Sequence, residues 1–221
     1  MDRMETAEIA EELSELRAYG QQRARAKGAA DSDVREGRPQ DTEPISQPSS
    51  SRPAVAVVMD INVLVDAVTS QEPVADFESW PSPPPVRGDP AANALGVLND
   101  AKEFALWLSP HILDGTGRVL REYYGWSLAR ATQYREVLER IGSRSGGANI
   151  TPQLVVTDCE DWEDNRILEL AAESGAVLIV SNDDHLLGMS PWRGTAVIDP
   201  RAFVAKVDAM RRAQLRVARK S

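Results

Sequence analysis

The sequence predicts an α/β fold in which helices flank a doubly wound parallel β-sheet, preceded by a disordered N-terminal extension. Two observations predict this fold. Four short apolar runs, each as long as a buried strand, alternate along the chain with stretches of helical periodicity. That alternation is typical of a parallel sheet whose strands are joined by right-handed crossover helices. The 221-residue chain is also 42% hydrophobic, which is enough to form one buried core.

The N-terminal part of the chain is predicted to lie outside that core. Its first 19 residues carry apolar side chains at helical spacing and predict a short helix. The following segment is polar, rich in Gly, Pro, Ser and charged residues, and has no periodicity, so we expect a disordered linker. The predicted organisation is an extension of a short helix and linker (1–53), a folded domain (54–205) and a basic C-terminal tail (206–221).

The elements of the folded domain follow in order. The predicted strands are residues 54–59, 104–109, 176–181 and 195–199. Helical stretches precede the second strand, follow it and precede the third, at residues 92–103, 109–125 and 161–175. Ser109 and Pro110 are predicted to be the N-cap and first residue of one helix, and Gly175 the C-cap of another. The proline-rich segment 79–90 is predicted to be a long loop inside the domain.

Composition excludes several classes of protein. No apolar run approaches the ~20 residues of a membrane helix, and the amino terminus lacks a signal-peptide pattern. We therefore expect a cytoplasmic protein without a membrane partner. The single cysteine, Cys159, cannot form an internal disulfide and has no partners at zinc-binding spacing.

Charge is unevenly distributed along the chain. Residues 54–200 carry 22 acidic and 10 basic side chains, whereas residues 201–221 carry 1 and 7. An acidic body argues against broad, sequence-blind binding of duplex nucleic acid, which depends on phosphate neutralisation by Lys and Arg. It is compatible with an acidic site that holds a cation.

Acidic side chains are predicted to meet at one edge of the sheet. Asp60 follows the first strand and Asp183 the third, so both lie at the carboxyl edge, where open parallel sheets bind their ligands. Helices that lead into parallel strands also begin at this edge. Asp164 is in the first turn of one such helix, and Asp114 is about one turn into another.

Four carboxylates this close would repel one another unless a cation were present. Ligands that are all oxygen favour Mg²⁺ or Mn²⁺. Such an ion activates water for attack on a phosphodiester and offsets charge on the leaving oxygen. The pattern therefore indicates a metal-dependent phosphodiesterase.

Four segments carry a more specific pattern: VVMDINVLVDAV (57–68), SPHILDGTGRVL (109–120), DWEDNRILELAAESGAVLIVSNDDHLL (161–187) and AVIDPRAF (196–203). They resemble, in order, the motifs of the PIN-domain ribonucleases, in particular the VapC-like toxins of bacterial toxin–antitoxin pairs. The third segment is the most specific. It joins an Asp-Asn helix start, a Gly-ended helix, an apolar strand and an Asp-X-X-Leu-Leu turn at the family's spacing.

The resemblance implies a PIN-like fold and a Mg²⁺- or Mn²⁺-dependent endoribonuclease with an RNA substrate and an antitoxin protein as partner. The family's acidic site maps onto Asp60, Asp164 and Asp183, and its supporting polar positions onto Asn62 and Ser181, with Asp161 as a further supporting acid. Where the family usually has Glu after the second strand, this chain has Gly115, with Asp114 immediately before it.

Two other functions stay open. A haloacid-dehalogenase-type phosphatase has a similar strand ending in Asp-X-Asn, but its chemistry needs an acid at Asn62 and a lysine, for which only Lys102 is available. The second alternative is a catalytically silent PIN module that binds RNA or a protein. It follows if Asp114 cannot replace the family's Glu.

Ordinary structural roles also compete with the catalytic interpretation. Helix capping alone would explain Asp161 and Asp164, and a polar turn would explain Asp183. His111 and His185 lack the mutual spacing of a metal-binding pair, so we expect ordinary surface histidines.

Residues 118–140 interleave arginines with tyrosines and a tryptophan. This combination is expected of single-stranded RNA binding. It equally fits a helix whose aromatic side chains lie in the core or in the interface of a homodimer.

Overall fold

The computed structural model describes residues 54–70, 77, 80, 88–100 and 102–218. Predictions for residues 1–53 and for most of the proline-rich loop therefore fall outside the described residues.

Four parallel strands form one sheet in the order β2-β1-β3-β4. They are β1 (Val55–Met59), β2 (Phe104–Trp107), β3 (Leu178–Val180) and β4 (Ala196–Ile198). Each lies within a predicted apolar run. The chain adds β2 on one side of β1 and then crosses to the other side for β3 and β4. This is the predicted doubly wound α/β topology, and its switch point lies between β1 and β3.

The described residues form seven helices. They are α1 (Ile61–Thr69), α2 (Pro90–Asp100), α3 (Pro110–Tyr124), α4 (Leu128–Ser145), α5 (Trp162–Ser174), α6 (Asp184–Gly188) and α7 (Pro200–Ala218). Helices α2, α3 and α5 coincide with the predicted helical stretches. No helix within the described ranges is long and apolar enough to cross a membrane.

One apolar core joins the sheet to its helices. Val57 and Val58 in the central strand β1 are completely buried, as expected for a strand covered on both faces. Helix α5 packs against β1 and β2, while α2 packs against α1, α4 and α7. Helix α7 buries Val207 and Met210, so the predicted boundary after residue 205 falls inside a continuous helix.

Side-chain caps fix the helix ends around the carboxyl edge of the sheet. Ser109 Oγ accepts a hydrogen bond from the Ile112 N–H (3.3 Å) at the start of α3, as predicted. Asp161 caps α5 by accepting from the Glu163 N–H at 2.8 Å. Gly175, at φ +67°, ends the same helix in the left-handed conformation that glycine adopts without strain. These caps set where α3 and α5 begin relative to the strands.

The aromatic residues of the arginine-rich segment 118–140 divide between the core and the surface. Tyr134 is buried, and its hydroxyl donates to the Leu64 carbonyl oxygen at 2.6 Å. The ring of Trp126 lies 6.1 Å from that of Tyr134, and the Arg130 guanidinium covers the indole at 4.1 Å. Tyr123, in contrast, is 75% exposed. Packing therefore accounts for Tyr134 and Trp126.

Candidate metal centre

Asp60 occupies the turn between β1 and α1 and is almost completely buried. Its N–H donates to the Val180 carbonyl oxygen (2.9 Å), which extends the pairing with β3. Oδ1 accepts from the Ile61 N–H at 2.6 Å, so the carboxylate caps α1. Oδ2 accepts from Asn62 Nδ2 (2.8 Å) and Ser181 Oγ (2.6 Å). Neutral donors therefore orient this buried carboxylate, and the N-terminal end of the helix favours its charge.

Asp164 lies in the first turn of α5 and is 8% exposed. Its Oδ2 accepts a hydrogen bond from the Cys159 thiol at 3.3 Å. Asn165 fixes the loop before the helix, because its side chain accepts from the Cys159 N–H (3.0 Å) and donates to the Asp161 carbonyl oxygen (2.9 Å). The start of α5 and the preceding loop thus hold Asp164 in place.

Asp183 follows β3 and caps the short helix α6. Its Oδ1 accepts from the His185 N–H at 2.7 Å, and its own N–H donates to Ser181 Oγ at 2.9 Å. The same Ser181 hydroxyl donates to the carboxylate of Asp60. The buried Ser181 hydroxyl therefore links the carboxyl ends of β1 and β3.

Three potential metal ligands meet at this edge. One ligand atom each of Asp164, Asp183 and His185 lies within 4.8 Å of the others. Asp60 belongs to the same electrostatic cluster, because the charges of Asp164 and Asp183 both raise its pKa. The structure thus brings together three of the four acids that the topology predicted, and it places His185, which is exposed as predicted, beside two of them.

Burial and the neighbouring carboxylates raise the pKa values of two acids in this cluster. Burial raises the pKa of Asp60 from 3.8 to about 6, against the opposing hydrogen bonds from Ser181 and Ile61. Burial also raises the pKa of Asp164, and the carboxylate of Asp183 raises it further. A cation at this position would stabilise the ionised carboxylates.

The donor set fits a divalent cation. Ligands on opposite sides of an Mg²⁺ ion are about 4 Å apart, since each lies at ~2.0–2.1 Å. Three ligands cannot all be opposite one another, and adjacent ligands are about 3 Å apart, so the ligand atoms of Asp164, Asp183 and His185, which lie within 4.8 Å, would have to approach one another by up to about 2 Å around an ion. Carboxylate oxygens are ligands of Mg²⁺ and Mn²⁺, and an imidazole nitrogen beside them is more typical of transition ions than of Mg²⁺.

The fourth predicted carboxylate lies elsewhere. Asp114 is on an exposed face of α3 and forms an ion pair with Arg135 of α4. It belongs neither to the ligand cluster nor to the groups that shift the pKa of Asp60 or Asp164. Its catalytic role stays a prediction.

The side chain of Ile61 packs against Gly115, the residue that follows Asp114. Gly115 is buried, and a Cβ atom added there would lie 2.6 Å from Cδ1 of Ile61, the residue that follows Asp60. The Ile61 side chain thus occupies the space that a side chain at position 115 would enter.

The pKa of Asp60 predicts how stability depends on pH. Because its pKa is about 6 in the folded state against 3.8 for an ordinary Asp, the folded protein keeps a proton that the unfolded chain has lost. The resulting stabilisation is complete below about pH 4 and is lost as the pH rises through 6, and it amounts to about 3 kcal/mol at most. Denaturant unfolding in EDTA from pH 4 to 7 measures it for wild type and Asp60→Asn. The free energy of unfolding of wild type minus that of Asp60→Asn should fall by about 2–3 kcal/mol between pH 4 and pH 7. A difference that stays constant over this range would contradict the raised pKa of Asp60.

A comparison with protein families agrees with this geometry. A family model described as PIN domain matches residues 56–185, more than half of the chain. The match includes all three clustered carboxylates and His185. No curated protein and no solved structure matches the chain.

Proposed function

Because this chain belongs to the PIN-domain family, whose members are generally nucleases that use divalent metals, we propose that it is a Mg²⁺- or Mn²⁺-dependent endoribonuclease. The observation that carries the proposal is the convergence of Asp60, Asp164 and Asp183 from three separate elements onto one edge of the sheet. Capping explains Asp60 and Asp183 individually, but it explains neither Asp164, which is not the cap of its helix, nor the shared electrostatic cluster.

The side chains of the site have two roles, which are to hold the ion and to orient the groups that hold it. Asp164, Asp183 and Asp60 would hold the ion. When bound, the ion supplies an activated water and offsets the charge that develops on the scissile phosphate. Ser181 and Asn62 orient the Asp60 carboxylate, and Asn62 Oδ1 also accepts from the Asn182 N–H at 3.3 Å.

Asp161 has a positioning role in this proposal. It caps α5 and so fixes the turn that carries Asp164, and its charge raises the pKa of Asp164. Its carboxylate itself is exposed.

Exposed aromatic rings favour single-stranded RNA as the substrate. Trp162, two residues before Asp164, is 60% exposed, and Tyr123 at the end of α3 is 75% exposed. Unpaired bases stack on such rings, whereas the bases of a duplex are already stacked. Arg118, five residues before Tyr123 on α3, donates from Nη2 to the Glu163 carboxylate at 3.1 Å.

The phosphatase alternative fits the structure poorly. Asn62 donates to Asp60 Oδ2 and cannot act as the acid that this chemistry needs two residues after the nucleophile. Lys102 precedes β2 and therefore lies at the amino edge of the sheet, opposite the cluster. A lysine at that edge cannot contact a phosphate bound at Asp60.

A catalytically silent PIN module is the second candidate. The observations that favour it are the packing of Ile61 against Gly115 and the ion pair of Asp114 with Arg135. Together they leave the position of the family's Glu without a carboxylate.

The biological role that we propose for this ribonuclease is that of a toxin. The order of motifs resembles VapC-like toxins, so we propose a cytoplasmic toxin that is held inactive by an antitoxin protein covering the acidic edge. Formation of a homodimer stays a prediction.

Metal-dependent cleavage tests the enzyme directly. The purified chain is incubated with a single-stranded RNA, a folded RNA and the matching single-stranded DNA in Mg²⁺, Mn²⁺ or EDTA, and the product ends are mapped. We expect RNA cuts with either metal and none in EDTA. p-Nitrophenyl phosphate, assayed in parallel, should not be hydrolysed.

Each other outcome identifies an alternative. Binding of metal by calorimetry without any cut would support the silent module. Hydrolysis of p-nitrophenyl phosphate without RNA cleavage would support a phosphatase and contradict the proposal.

A further inference from the structure

We propose that His185 is a ligand of the metal centre and that its nitrogen makes the site prefer a first-row transition ion such as Mn²⁺ over Mg²⁺. This inference rests on the proposed function, because it requires a metal at the acidic edge. It assigns a ligand and an ion preference that the three carboxylates alone do not define.

The position of His185 is fixed by the backbone rather than by its own side chain. It is the second residue of α6, and its N–H donates to Asp183 Oδ1 at 2.7 Å. The next residue, Leu186, is completely buried and anchors this short helix in the core. The backbone of His185 is therefore held next to Asp183, and its imidazole is 77% exposed.

The ring lies where an ion between the carboxylates would bind. Its Nδ1 is 3.9 Å from Asp183 Oδ1, which is too long for a hydrogen bond but suitable for two ligands of one ion. A ligand atom of Asp164 completes the triangle within 4.8 Å. His185 is near Asp183 because it follows Asp183 by two residues, whereas its approach to Asp164 joins two elements that are far apart in the chain.

The chemistry of the donors decides which ion is preferred. Mg²⁺ is a hard ion that prefers oxygen, whereas sites that include a nitrogen ligand bind first-row transition ions with an affinity that rises from Mn²⁺ through Fe²⁺ to Cu²⁺. Gly115 removes one negative charge relative to the usual pattern, which weakens the electrostatic attraction for any divalent ion. A nitrogen ligand at His185 partly replaces the missing carboxylate for Mn²⁺.

Metal binding without RNA tests this inference. Dissociation constants for Mn²⁺ and Mg²⁺ are measured by calorimetry for wild type and His185→Ala, and electron spin-echo spectroscopy of bound Mn²⁺ detects a coordinated ¹⁴N nucleus. We expect wild type to bind Mn²⁺ at least tenfold more tightly than Mg²⁺ and to show ¹⁴N modulation. His185→Ala should lose the modulation and about tenfold in Mn²⁺ affinity, with less than a threefold change for Mg²⁺.

The chain contains a matched control for this experiment. His111 is the only other histidine, and its ring packs against Trp162 with 5.6 Å between centres. His111→Gln should keep both the ¹⁴N modulation and the affinity for Mn²⁺. Loss of the modulation in this variant instead would overturn the assignment to His185.

Failure of this inference can be distinguished from failure of the proposed function. If wild type binds Mn²⁺ and cuts RNA but shows no ¹⁴N modulation, His185 is not a ligand and the nuclease proposal stands. If wild type binds neither ion, both are overturned. Asp164→Asn should abolish binding of both ions, which confirms that the measured site is the acidic edge.

Discussion

Asp60→Asn is expected to lower the rate of RNA cleavage at least a thousandfold while the protein stays folded. The substitution removes the most buried charge of the cluster, and a thousandfold loss corresponds to about 4 kcal/mol of transition-state stabilisation, in the range that a metal centre supplies. The fold should survive because the amide oxygen of Asn can still accept from the Ile61 N–H and cap α1. Single-turnover cleavage in saturating Mn²⁺, with circular dichroism of both proteins, measures the two effects.

Two further Asp→Asn variants test whether the loss of cleavage is specific to Asp60. Asp184 is exposed and adjacent to Asp183, so Asp184→Asn repeats the chemical change outside the proposed ligand set and should stay within threefold of wild type. Asp114→Asn tests the fourth carboxylate, and its ion pair with Arg135 predicts a loss of tenfold or less. A folded Asp60→Asn protein that cuts at the wild-type rate would rule out the proposed centre.

Asp60→Asn also tests whether the proposed enzyme acts as a toxin. Expression of wild type in a bacterial host should arrest growth, whereas Asp60→Asn should not. Cleavage in vitro without growth arrest would support the ribonuclease activity and contradict the toxin role.

Gly147→Ala is expected to destabilise the fold by about 4 kcal/mol or more, among the largest effects of a single substitution. A Cβ atom at Gly147 would lie 1.8 Å from the backbone oxygen of Leu106 in β2, and no side-chain rotation can relieve a contact with the main chain. Separating the two segments would break the hydrogen bond from the Leu108 N–H to the Ala148 carbonyl oxygen (2.9 Å). The free energy of unfolding in urea measures the loss.

Gly117→Ala is the matched control for this substitution. Gly117 lies inside α3, and an added Cβ atom would have no neighbour within 4 Å. Since alanine is the better helix former, this variant should be more stable than wild type by about 0.5–1 kcal/mol. Equal stability of Gly147→Ala and wild type would contradict the close packing of this segment on β2.

The sequence by itself determined the sheet and the edge at which the acids meet. A buried parallel strand must be a short, continuous apolar run, and helix ends need capping side chains, so both are encoded by neighbouring residues. Asp60 and Asp183 directly follow such runs, and Asp164 follows a helix cap, which places all three at the carboxyl edge. Helix α1 was less evident, since its apolar run is compatible with either a strand or a buried helix.

Only the tertiary structure decided which of these side chains contact one another. Asp114 and Arg135 lie on different helices, and so do Gly115 and Ile61, so their contacts depend on how α3 packs against α4 and α1. His185 became a candidate ligand because α5 brings Asp164 beside α6, which no local spacing encodes. The physical reason is that periodicity and capping act over a few residues, whereas a ligand cluster depends on ångström-scale distances between elements far apart in the chain.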